Sequence, residues 1–397
     1  MHDAWEPLIT GLLAVSLVGL CVSTVCHVLV WCVVRHRPKD TPSEDSVTIL
    51  RPLCGVDQSL AENLEACTRQ SHRPLSMVLG VADPDDAALP VALRFRREHS
   101  QIPIRVSVGE DESLENPKVA LLERMNVHAD GQWIVVSDSN VRVGDDYVRD
   151  ALSHAAPDVG LITHLVAGCG GRSFAAFAEN LQLNCFVAPA MCGVRFLVGR
   201  ICVIGKSMFL RREALQQIGG FQSAGHVLAE DYMLGQAVQH AGYRVVTAAL
   251  PVPAWHEGWT LGRFISRHLR WAVMRRSVSR SAYLVELLLT PGPLLMLLLA
   301  LGTWLPPVGV SPPWLAGAFG AEQLLGAVTF ARMTGRRVPV LALLINPVRQ
   351  WLTLGIWVLG WFVETVEWRG TAYRVGAGSL LGPAASPALP ARIVDEA

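Results

Sequence analysis

The sequence predicts a mixed α/β domain with a mostly parallel sheet, placed between apolar segments that are long enough to cross a membrane. Two observations support this prediction. Hydrophobic residues make up 51% of the 397 residues and charged residues only 17%, and the apolar excess is concentrated towards the two ends of the chain. Between the ends, short runs rich in β-branched residues alternate with helical patterns, which is typical of a sheet whose strands are connected by helices.

The first apolar segment covers residues 8–34. It contains no Asp, Glu, Lys or Arg and a single His, and it exceeds the roughly 20 residues that a helix needs to cross a bilayer core. Residues 1–7 are slightly acidic and the apolar run is long, so we expect an uncleaved anchor rather than a signal peptide. Four basic residues follow within 35–39, and the positive-inside rule therefore predicts residues 1–7 outside and the next domain in the cytoplasm.

Three more apolar stretches follow the α/β domain, with Trp residues at several of their edges. We predict transmembrane helices at residues 287–305, 314–331 and 351–366. The arginines within 332–337 predict a cytoplasmic loop, and the polar interruption within 346–350 suggests that the piece before the last span lies in the membrane interface. Four spans would place the C-terminal tail, residues 367–397, outside, although two arginines in this tail favour the cytoplasmic side.

Residues 46–280 are predicted to form the α/β domain, with a helical pattern at residues 60–70. Short β-branched runs bounded by turn residues predict strands at residues 47–50, 76–81, 104–108 and 133–137. In sheets of this kind, ligands bind beyond the carboxyl ends of the strands. Asp83 and Asp138 each lie just beyond such an end, so both are candidates for a binding site.

The two aspartates differ in how specific their context is. An isolated Asp after a strand is usually a turn residue, and Asp83, which precedes Pro84, has that interpretation beside the functional one. Asp138 and Asn140 are more specific, because oxygen-bearing side chains at i and i+2 of a loop can point the same way and hold a hard cation. Mg²⁺ or Mn²⁺ held in this way also binds substrate phosphates, and it neutralises the charge of a departing nucleoside diphosphate.

A second pair of carboxylates, Glu230 and Asp231, begins a helical pattern that ends at Gly242. Carboxylates in a first helical turn often only interact with the helix dipole. In the company of Asp138, one of them could also act as the general base that deprotonates an attacking hydroxyl. Six arginines within residues 263–280 could contact the phosphates of a substrate or of anionic lipids, or could simply flank the first C-terminal span.

Composition excludes several other classes. Equal numbers of basic and acidic residues, 34 of each, give no support for a nucleic-acid partner. The nine cysteines include no Cys-x-x-Cys pair and no accompanying His spacing, so we expect neither a zinc site nor a disulfide framework.

Residues 181–204 are strongly apolar although they lie inside the α/β domain. A buried core helix is one interpretation. The other is an amphipathic, membrane-facing element in the cytoplasmic leaflet.

Eight short motifs occur in order along the chain, at residues 47–55, 80–84, 116–118, 137–143, 219–221, 229–232, 267–271 and 367–370. Together they resemble the motifs of the membrane-bound inverting glycosyltransferases of the ceramide glucosyltransferase type, which share the GT-A nucleotide-sugar fold. The resemblance covers almost the whole chain. One departure is Asn140, where a full Asp-x-Asp would have a second carboxylate, so metal binding should depend more on the substrate's phosphates.

The resemblance implies a nucleotide site at the start of the domain. Asp83 matches an aspartate that contacts uridine. Leu53, Cys54 and Gly55 would line the same nucleoside pocket, and Lys118 would be the basic partner of the nucleotide.

The resemblance also implies the residues of the reaction centre. Asp138 would work with the Mg²⁺ or Mn²⁺ ion and the diphosphate, and Asp231 would be the catalytic base. In the motif Arg-x-x-Arg-Trp, Arg267 and Arg270 would face the diphosphate, and Trp271 would line the acceptor site.

The activity implied is inverting transfer of a sugar from a UDP-sugar, with UDP-glucose favoured, to the hydroxyl of a membrane lipid, with ceramide favoured. Three alternatives stay open: transfer of N-acetylglucosamine or another sugar to a hopanoid or diacylglycerol, a processive polysaccharide synthase, and a non-catalytic lipid-binding or scaffold protein. Four spans are few for a polymer channel. The expected location is a multi-pass protein of the bacterial inner membrane with its GT-A domain in the cytoplasm.

Overall fold

The elements below come from a computed structural model that describes residues 6–35, 43–56, 59–302, 311–337, 340–368 and 370–383. The strands are β1 (Val47–Leu53), β2 (Leu75–Val81), β3 (Ile104–Val108), β4 (Trp133–Ser137), β5 (Val159–Cys169), β6 (Ser207–Arg211), β7 (Arg244–Trp255), β8 (Thr365–Trp368), β9 (Thr371–Val375) and β10 (Leu381–Pro383). The helices are α1 (Glu6–Val33), α2 (Leu60–Thr68), α3 (Ala88–Glu98), α4 (Pro117–Asn126), α5 (Tyr147–Leu152), α6 (Phe174–Gln182), α7 (Ala188–Gly193), α8 (Arg212–Gln217), α9 (Glu230–His240), α10 (Leu261–Val278), α11 (Arg280–Val285), α12 (Gly292–Gly302), α13 (Pro312–Thr334) and α14 (Val340–Leu359).

A seven-stranded sheet with the order β3-β2-β1-β4-β6-β5-β7 forms the centre of the α/β domain. The neighbouring strands β3 and β2, β2 and β1, and β1 and β4 pair in parallel, as do β5 and β7. Strand β6 is antiparallel to both of its neighbours, β4 and β5. Every residue of β1 and of β4 is buried, because elements pack on both faces, as is usual for parallel sheets. The predicted parallel α/β sheet is confirmed.

The sheet aligns the carboxyl ends of β2, β1 and β4 side by side at one edge. One apolar cluster, which includes Ile49, Met77 and Trp133, packs on one face of these strands. A second cluster, which includes Leu50 and Val136, packs on the other face. With both faces buried, side chains can meet a ligand only beyond the strand ends.

Among the residues that the structure describes, two helical stretches are long and apolar enough to cross a membrane: α1 and the continuous stretch Phe174–Val198. The pair Arg280–Leu289 and Gly292–Gly302 would form a third, broken span with a bend of 56°. The helix at the last predicted span, residues 351–366, has different limits, because α14 begins at Val340 and ends at Leu359 and is followed by strand β8.

Helices α13 and α14 carry a buried polar cluster, which explains why neither reaches the hydropathy of α1. The Gln350 amide donates to Glu322, and the Asn346 amide donates to Gln323. The buried guanidinium of Arg349 donates to Asn346 and to Gln182 of α6. Polar side chains within apolar helices pair with each other in this way because burial without a partner is costly.

The stretch Phe174–Val198, which contains most of the apolar segment 181–204, combines the two interpretations offered by the sequence. One π-helical turn, Leu183–Val187, joins α6 to α7, and a second, Val194–Val198, follows α7. Phe186 is buried, whereas Phe196, Leu197 and Val198 are 48%, 58% and 65% exposed. The first part is therefore a core helix and the last turn is an exposed apolar surface.

The described part of the C-terminal tail, residues 367–368 and 370–383, does not extend away from the domain. Strands β8, β9 and β10 form an antiparallel sheet, and Val366, Val375 and Leu381 pack in one apolar cluster with Val273 of α10 and Leu228. An outside location for this tail together with a cytoplasmic domain does not agree with this packing, because the two share a core.

Candidate active site

Two lysines meet Asp138 beyond the carboxyl end of β4. The Nζ atom of Lys118 lies 3.1 Å from Asp138 Oδ1, and the Nζ atom of Lys206 lies 3.4 Å from Asp138 Oδ2. Lys206 also donates to Asn140 Oδ1 at 2.7 Å. The Asp138 side chain keeps 29% of its surface exposed, whereas that of Lys206 keeps 6%. An anionic ligand can therefore reach this cluster past Asp138.

The N-terminus of α4 positions Lys118. Asn116 caps the helix, because its Oδ1 atom accepts the N–H groups of Lys118 and Val119, which is a preferred role for Asn. The Asn116 amide also donates to Val227 O at 2.7 Å and ties the cap to the chain before α9. Lys118 bridges the same two regions through its ion pair of 3.1 Å with Glu230.

Asp231, the predicted base, begins α9 beside these lysines. Its Oδ2 atom accepts the N–H of Gly205 at 2.7 Å, and its Oδ1 atom accepts the N–H of Tyr232 at 2.8 Å. Burial and the neighbouring carboxylate of Glu230 raise the pKa of Asp231 to about 7, while Lys118 acts in the opposite direction. A carboxylate of this kind can take up a proton near neutral pH, as a general base must.

The charges around Asp138 favour its ionised form. Burial acts to raise the pKa of Asp138, but Lys118 and Lys206 outweigh it and hold that pKa well below its usual range. Burial lowers the pKa of Lys206 to about 8, and Asp138 acts against that shift. For Lys118, burial is outweighed by Asp138 and Glu230, which raise its pKa. Asp138 therefore stays charged while Asp231 titrates.

The predicted metal ligands, Asp138 and Asn140, already accept bonds from lysine ammonium groups. No cluster of three His, Cys, Asp or Glu side chains suited to a metal ion occurs in the part of the chain that the structure describes. Asp138 is the single carboxylate of the predicted pair, and it is partly exposed. These residues fit an ion that arrives with phosphate ligands better than a resident ion held by protein alone.

Gly205 is required where the lysine and the base come together. A Cβ atom at this position would lie 2.6 Å from Lys118 Nζ and 3.3 Å from Asp231 Oδ2. The Lys118 ammonium would have to shift, which would disturb its 3.1 Å contact with Asp138, although the backbone could stay in place.

Gly205→Ala is therefore expected to lower catalytic turnover by about 10- to 100-fold. This is the change in rate that corresponds to losing about one hydrogen bond to a charged group. The thermal unfolding temperature should change little. Gly144→Ala is the matched control, because a Cβ atom at Gly144 meets nothing within 4 Å. Equal turnover in the two variants would contradict the inferred crowding at Gly205.

A second charged group lies beside this cluster, on α10 and α6. The buried carboxylate of Glu179 lies 2.6 Å from His268 Nε2 and 3.3 Å from Arg267 NH1. The Arg267 guanidinium stacks on Trp271, 4.5 Å from the ring centroid, and His268 meets the same ring edge-on. Burial lowers the pKa of His268, with Glu179 acting against this effect. Glu179 thus holds Arg267 and His268 in place, and these two side chains in turn pack against Trp271.

Arg270 lies one turn further along α10 and contacts the C-terminal sheet. Its guanidinium donates to Glu367 O at 3.5 Å and lies 5.7 Å from the ring of Trp368. The same sheet reaches the chain before Asp231, since Leu381 N of β10 donates to His226 O at 2.8 Å. Glu367 and Trp368, from the motif at residues 367–370, therefore lie beside Arg270.

The residues predicted for the nucleoside lie at the adjacent strand ends. Asp83 is exposed after β2, and its carboxylate accepts the N–H of Asp85 at 2.8 Å, as in the turn interpretation. Leu53 is a buried core residue at the end of β1, whereas Cys54 and Gly55 are exposed. Leu53 therefore supports the end of this strand, and the exposed groups beside it are the ones that a ligand can touch.

Several residues of this region were not predicted. Asp86 accepts the N–H of Gly55 at 2.9 Å and so joins the loops after β1 and β2. The buried guanidinium of Arg51 donates to Ser137 Oγ and Val141 O, which fixes the loop that carries Asp138. Lys206, Gly205 and Glu179 were missed as well. The rarity of lysine, three residues in the chain, is the signal that could have singled out Lys206.

Comparison with known proteins decides the family. The profile of glycosyl transferase family 21 matches residues 11–381. The chain belongs to glycosyl transferase family 21. Ceramide glucosyltransferase 3 of Caenorhabditis elegans is 25% identical over 260 residues, and ceramide glucosyltransferase 1 of the same organism is 23% identical over 256 residues. Each match covers 64% of this chain and 55% or 54% of the relative, so the chain spans about half the length of these relatives.

The family 21 chain is also similar to a solved structure, the mannosyltransferase PcManGT from Pyrobaculum calidifontis in complex with GDP-Man and Mn²⁺. The TM-score is 0.51 at 16% sequence identity, with 90% of this chain and 99% of that chain covered. At this identity the likeness concerns the fold alone. The predicted GT-A fold flanked by apolar helices is confirmed.

Proposed function

We propose that this chain transfers a sugar, with inversion, from a UDP-sugar to the hydroxyl of a membrane lipid. UDP-glucose is the proposed donor and ceramide the proposed acceptor. The observation that carries the proposal is the pair of lysines on Asp138 beside a carboxylate, Asp231, whose pKa is raised to about 7. Family membership and the curated names of the relatives support the choice of donor and acceptor.

In the proposed reaction, Asp231 takes the proton of the acceptor hydroxyl as its oxygen attacks the anomeric carbon. The bond from that carbon to the diphosphate breaks on the opposite side, which inverts the configuration. Negative charge then develops on the departing diphosphate, and the ammonium of Lys118 and the guanidinium of Arg267 stabilise it. Asp83 and the exposed Gly55 are proposed to contact the nucleoside beyond β2 and β1.

We also propose that a divalent cation, Mg²⁺ or Mn²⁺, accompanies the diphosphate. Asp138 and Asn140 would hold it, with the remaining ligands supplied by the phosphates, and it would provide further positive charge for the leaving group. The presence of Mn²⁺ in PcManGT supports this proposal by analogy of fold.

We propose that the head group of the lipid acceptor enters a crevice that is lined by His268, the partner of Glu179. Its lining combines polar side chains, those of Gln182, His268 and Arg275, with apolar ones, those of Leu287 and Ile356. A lipid with a hydroxylated head and hydrocarbon chains presents the same combination of surfaces. Trp271, which is stacked on Arg267, is proposed to line the acceptor's path between this crevice and the donor.

The proposed location is a multi-pass membrane protein of the bacterial inner membrane with its catalytic domain in the cytoplasm. The two apolar helical stretches support membrane insertion. The basic run within residues 35–39 supports the orientation.

Membranes containing the protein can test donor and acceptor together. They would be incubated with labelled UDP-glucose or UDP-N-acetylglucosamine and added ceramide, and the labelled lipid identified by mass spectrometry. We expect glucosylceramide from UDP-glucose, and at least about 100-fold less of it from membranes that carry Asp231→Asn. Labelled hopanoid or diacylglycerol, or an N-acetylglucosamine product, would replace the proposed substrates. A long water-soluble polymer would overturn lipid transfer itself.

A further inference from the structure

Lysine is rare in this chain, and most of its lysines contact Asp138. Of the 34 basic Lys and Arg residues, three are lysines: Lys39, Lys118 and Lys206. Two of these three contact the same carboxylate, that of Asp138. Two compact ammonium groups therefore lie against Asp138 in a protein whose other Lys and Arg residues are, apart from Lys39, all arginines. An ammonium resembles a metal ion in being a compact point charge, whereas a guanidinium is a planar fork.

Lys206 lies where the sequence predicts the cation. Its Nζ atom is 2.7 Å from Asn140 Oδ1 and 3.4 Å from Asp138 Oδ2, and these are the two side chains predicted as metal ligands. Within the described residues these are the polar partners of its ammonium, and an ammonium has three N–H groups. One N–H group is thus available for a phosphate oxygen that approaches past the partly exposed Asp138.

The backbone that carries Lys206 is held rigidly. The next residue, Ser207, shares hydrogen bonds of 2.8 Å with Tyr147 and with His164, and its carbonyl accepts from Thr163 at 3.1 Å. Ser207, His164 and Thr163 are fully buried. Lys206 is therefore a preorganised charge and not a mobile surface lysine, so little ordering is needed when an anion binds.

We propose that Lys206 is a further donor-binding residue, which contacts the diphosphate from the Asp138–Asn140 position and makes nucleotide binding only partly dependent on a divalent cation. This inference rests on the proposed function, because it needs a nucleoside diphosphate donor. A purely structural role, in which Lys206 only holds the loop that carries Asp138 and Asn140 in place, would give the same loss of affinity in EDTA and in Mn²⁺.

The test measures UDP affinity by calorimetry on the full chain in nanodiscs, with EDTA or with Mn²⁺. The wild-type protein is expected to bind UDP in EDTA. Lys206→Met should weaken binding in EDTA by about 10- to 100-fold, the range for loss of a charge-assisted hydrogen bond. In Mn²⁺ the same variant should bind within about threefold of the wild type. The ion supplies the missing positive charge and binds the Asp138 and Asn140 oxygens that the lysine no longer contacts. Recovery in Mn²⁺ also shows that the variant is folded.

Each result has a distinct meaning. Loss of all wild-type binding in EDTA, or equal UDP affinity of the wild type and Lys206→Met in EDTA, would overturn the role of Lys206. An equal deficit of the variant in EDTA and in Mn²⁺ would also overturn it, in favour of the structural role. Failure of the wild type to bind UDP even in Mn²⁺ would instead contradict the proposed UDP-sugar donor.

Discussion

Asp231→Asn is expected to lower sugar transfer by about 10²- to 10⁴-fold, the range that a positioned general base contributes. UDP affinity should stay unchanged. The amide has the shape of the carboxylate, and its oxygen can still accept the N–H of Gly205 that now binds Asp231 Oδ2. What it cannot do is take the proton of the acceptor hydroxyl. Product formation and UDP affinity measured on the same preparation separate these two effects.

The pH profile gives the same prediction a second, independent readout. The base works only when it is deprotonated, so transfer by the wild type should fall as the pH drops below about 7, the value to which burial and Glu230 raise the pKa of Asp231. The residual activity of Asp231→Asn should lack that inflection. Asp158→Asn is the control, because Asp158 is an exposed surface residue paired with Arg244. Full transfer by Asp231→Asn would rule out its role as the base.

The sequence predicted the central strands β1 and β4 well because these strands are buried on both faces. Runs such as Trp133–Ser137 are continuously apolar and bounded by turns, and the structure has strand β4 at those residues. The position of Asp138 beyond that strand follows from the same pattern. Local spacing thus locates a residue relative to its own strand.

Contacts between distant segments could not be read from spacing. Lys206 lies 68 residues from Asp138, and Glu179 lies 89 residues from His268. Such pairs are set by the order of strands, in particular by the antiparallel β6 between β4 and β5, and no local pattern predicts that order. The C-terminal sheet was missed for a related reason, since its short strands become stable only by packing on α10.

Periodicity also could not settle the limits of the last apolar helix. The sequence suggested a break at Asn346, Pro347 and Arg349, because an exposed polar group in lipid is costly. In the structure α14 continues through these residues, with Asn346 and Arg349 buried against polar partners from other helices. The partners that make a polar residue acceptable inside a helix bundle lie on other elements, and a single segment does not reveal them.

Glu179→Gln is expected to destabilise the protein by about 3–5 kcal/mol, the cost of leaving one partner of a buried ion pair uncompensated. Glu179 is fully buried, and its carboxylate lies 3.3 Å from the Arg267 guanidinium and 2.6 Å from His268 Nε2. The neutral amide can keep one hydrogen bond, but the charge of Arg267 loses its nearest anion. Thermal unfolding of the purified protein in nanodiscs, followed by tryptophan fluorescence, measures the effect.

A double-mutant cycle tests whether this loss comes from Arg267. If the penalty is the uncompensated guanidinium, Glu179→Gln combined with Arg267→Met should cost clearly less than the sum of the two single variants. Additive costs would show that Glu179 stabilises the protein through His268 and packing alone. A coupled result would also connect stability with function, because the carboxylate that holds Arg267 on the ring of Trp271 would then fix two side chains proposed to meet the donor and the acceptor.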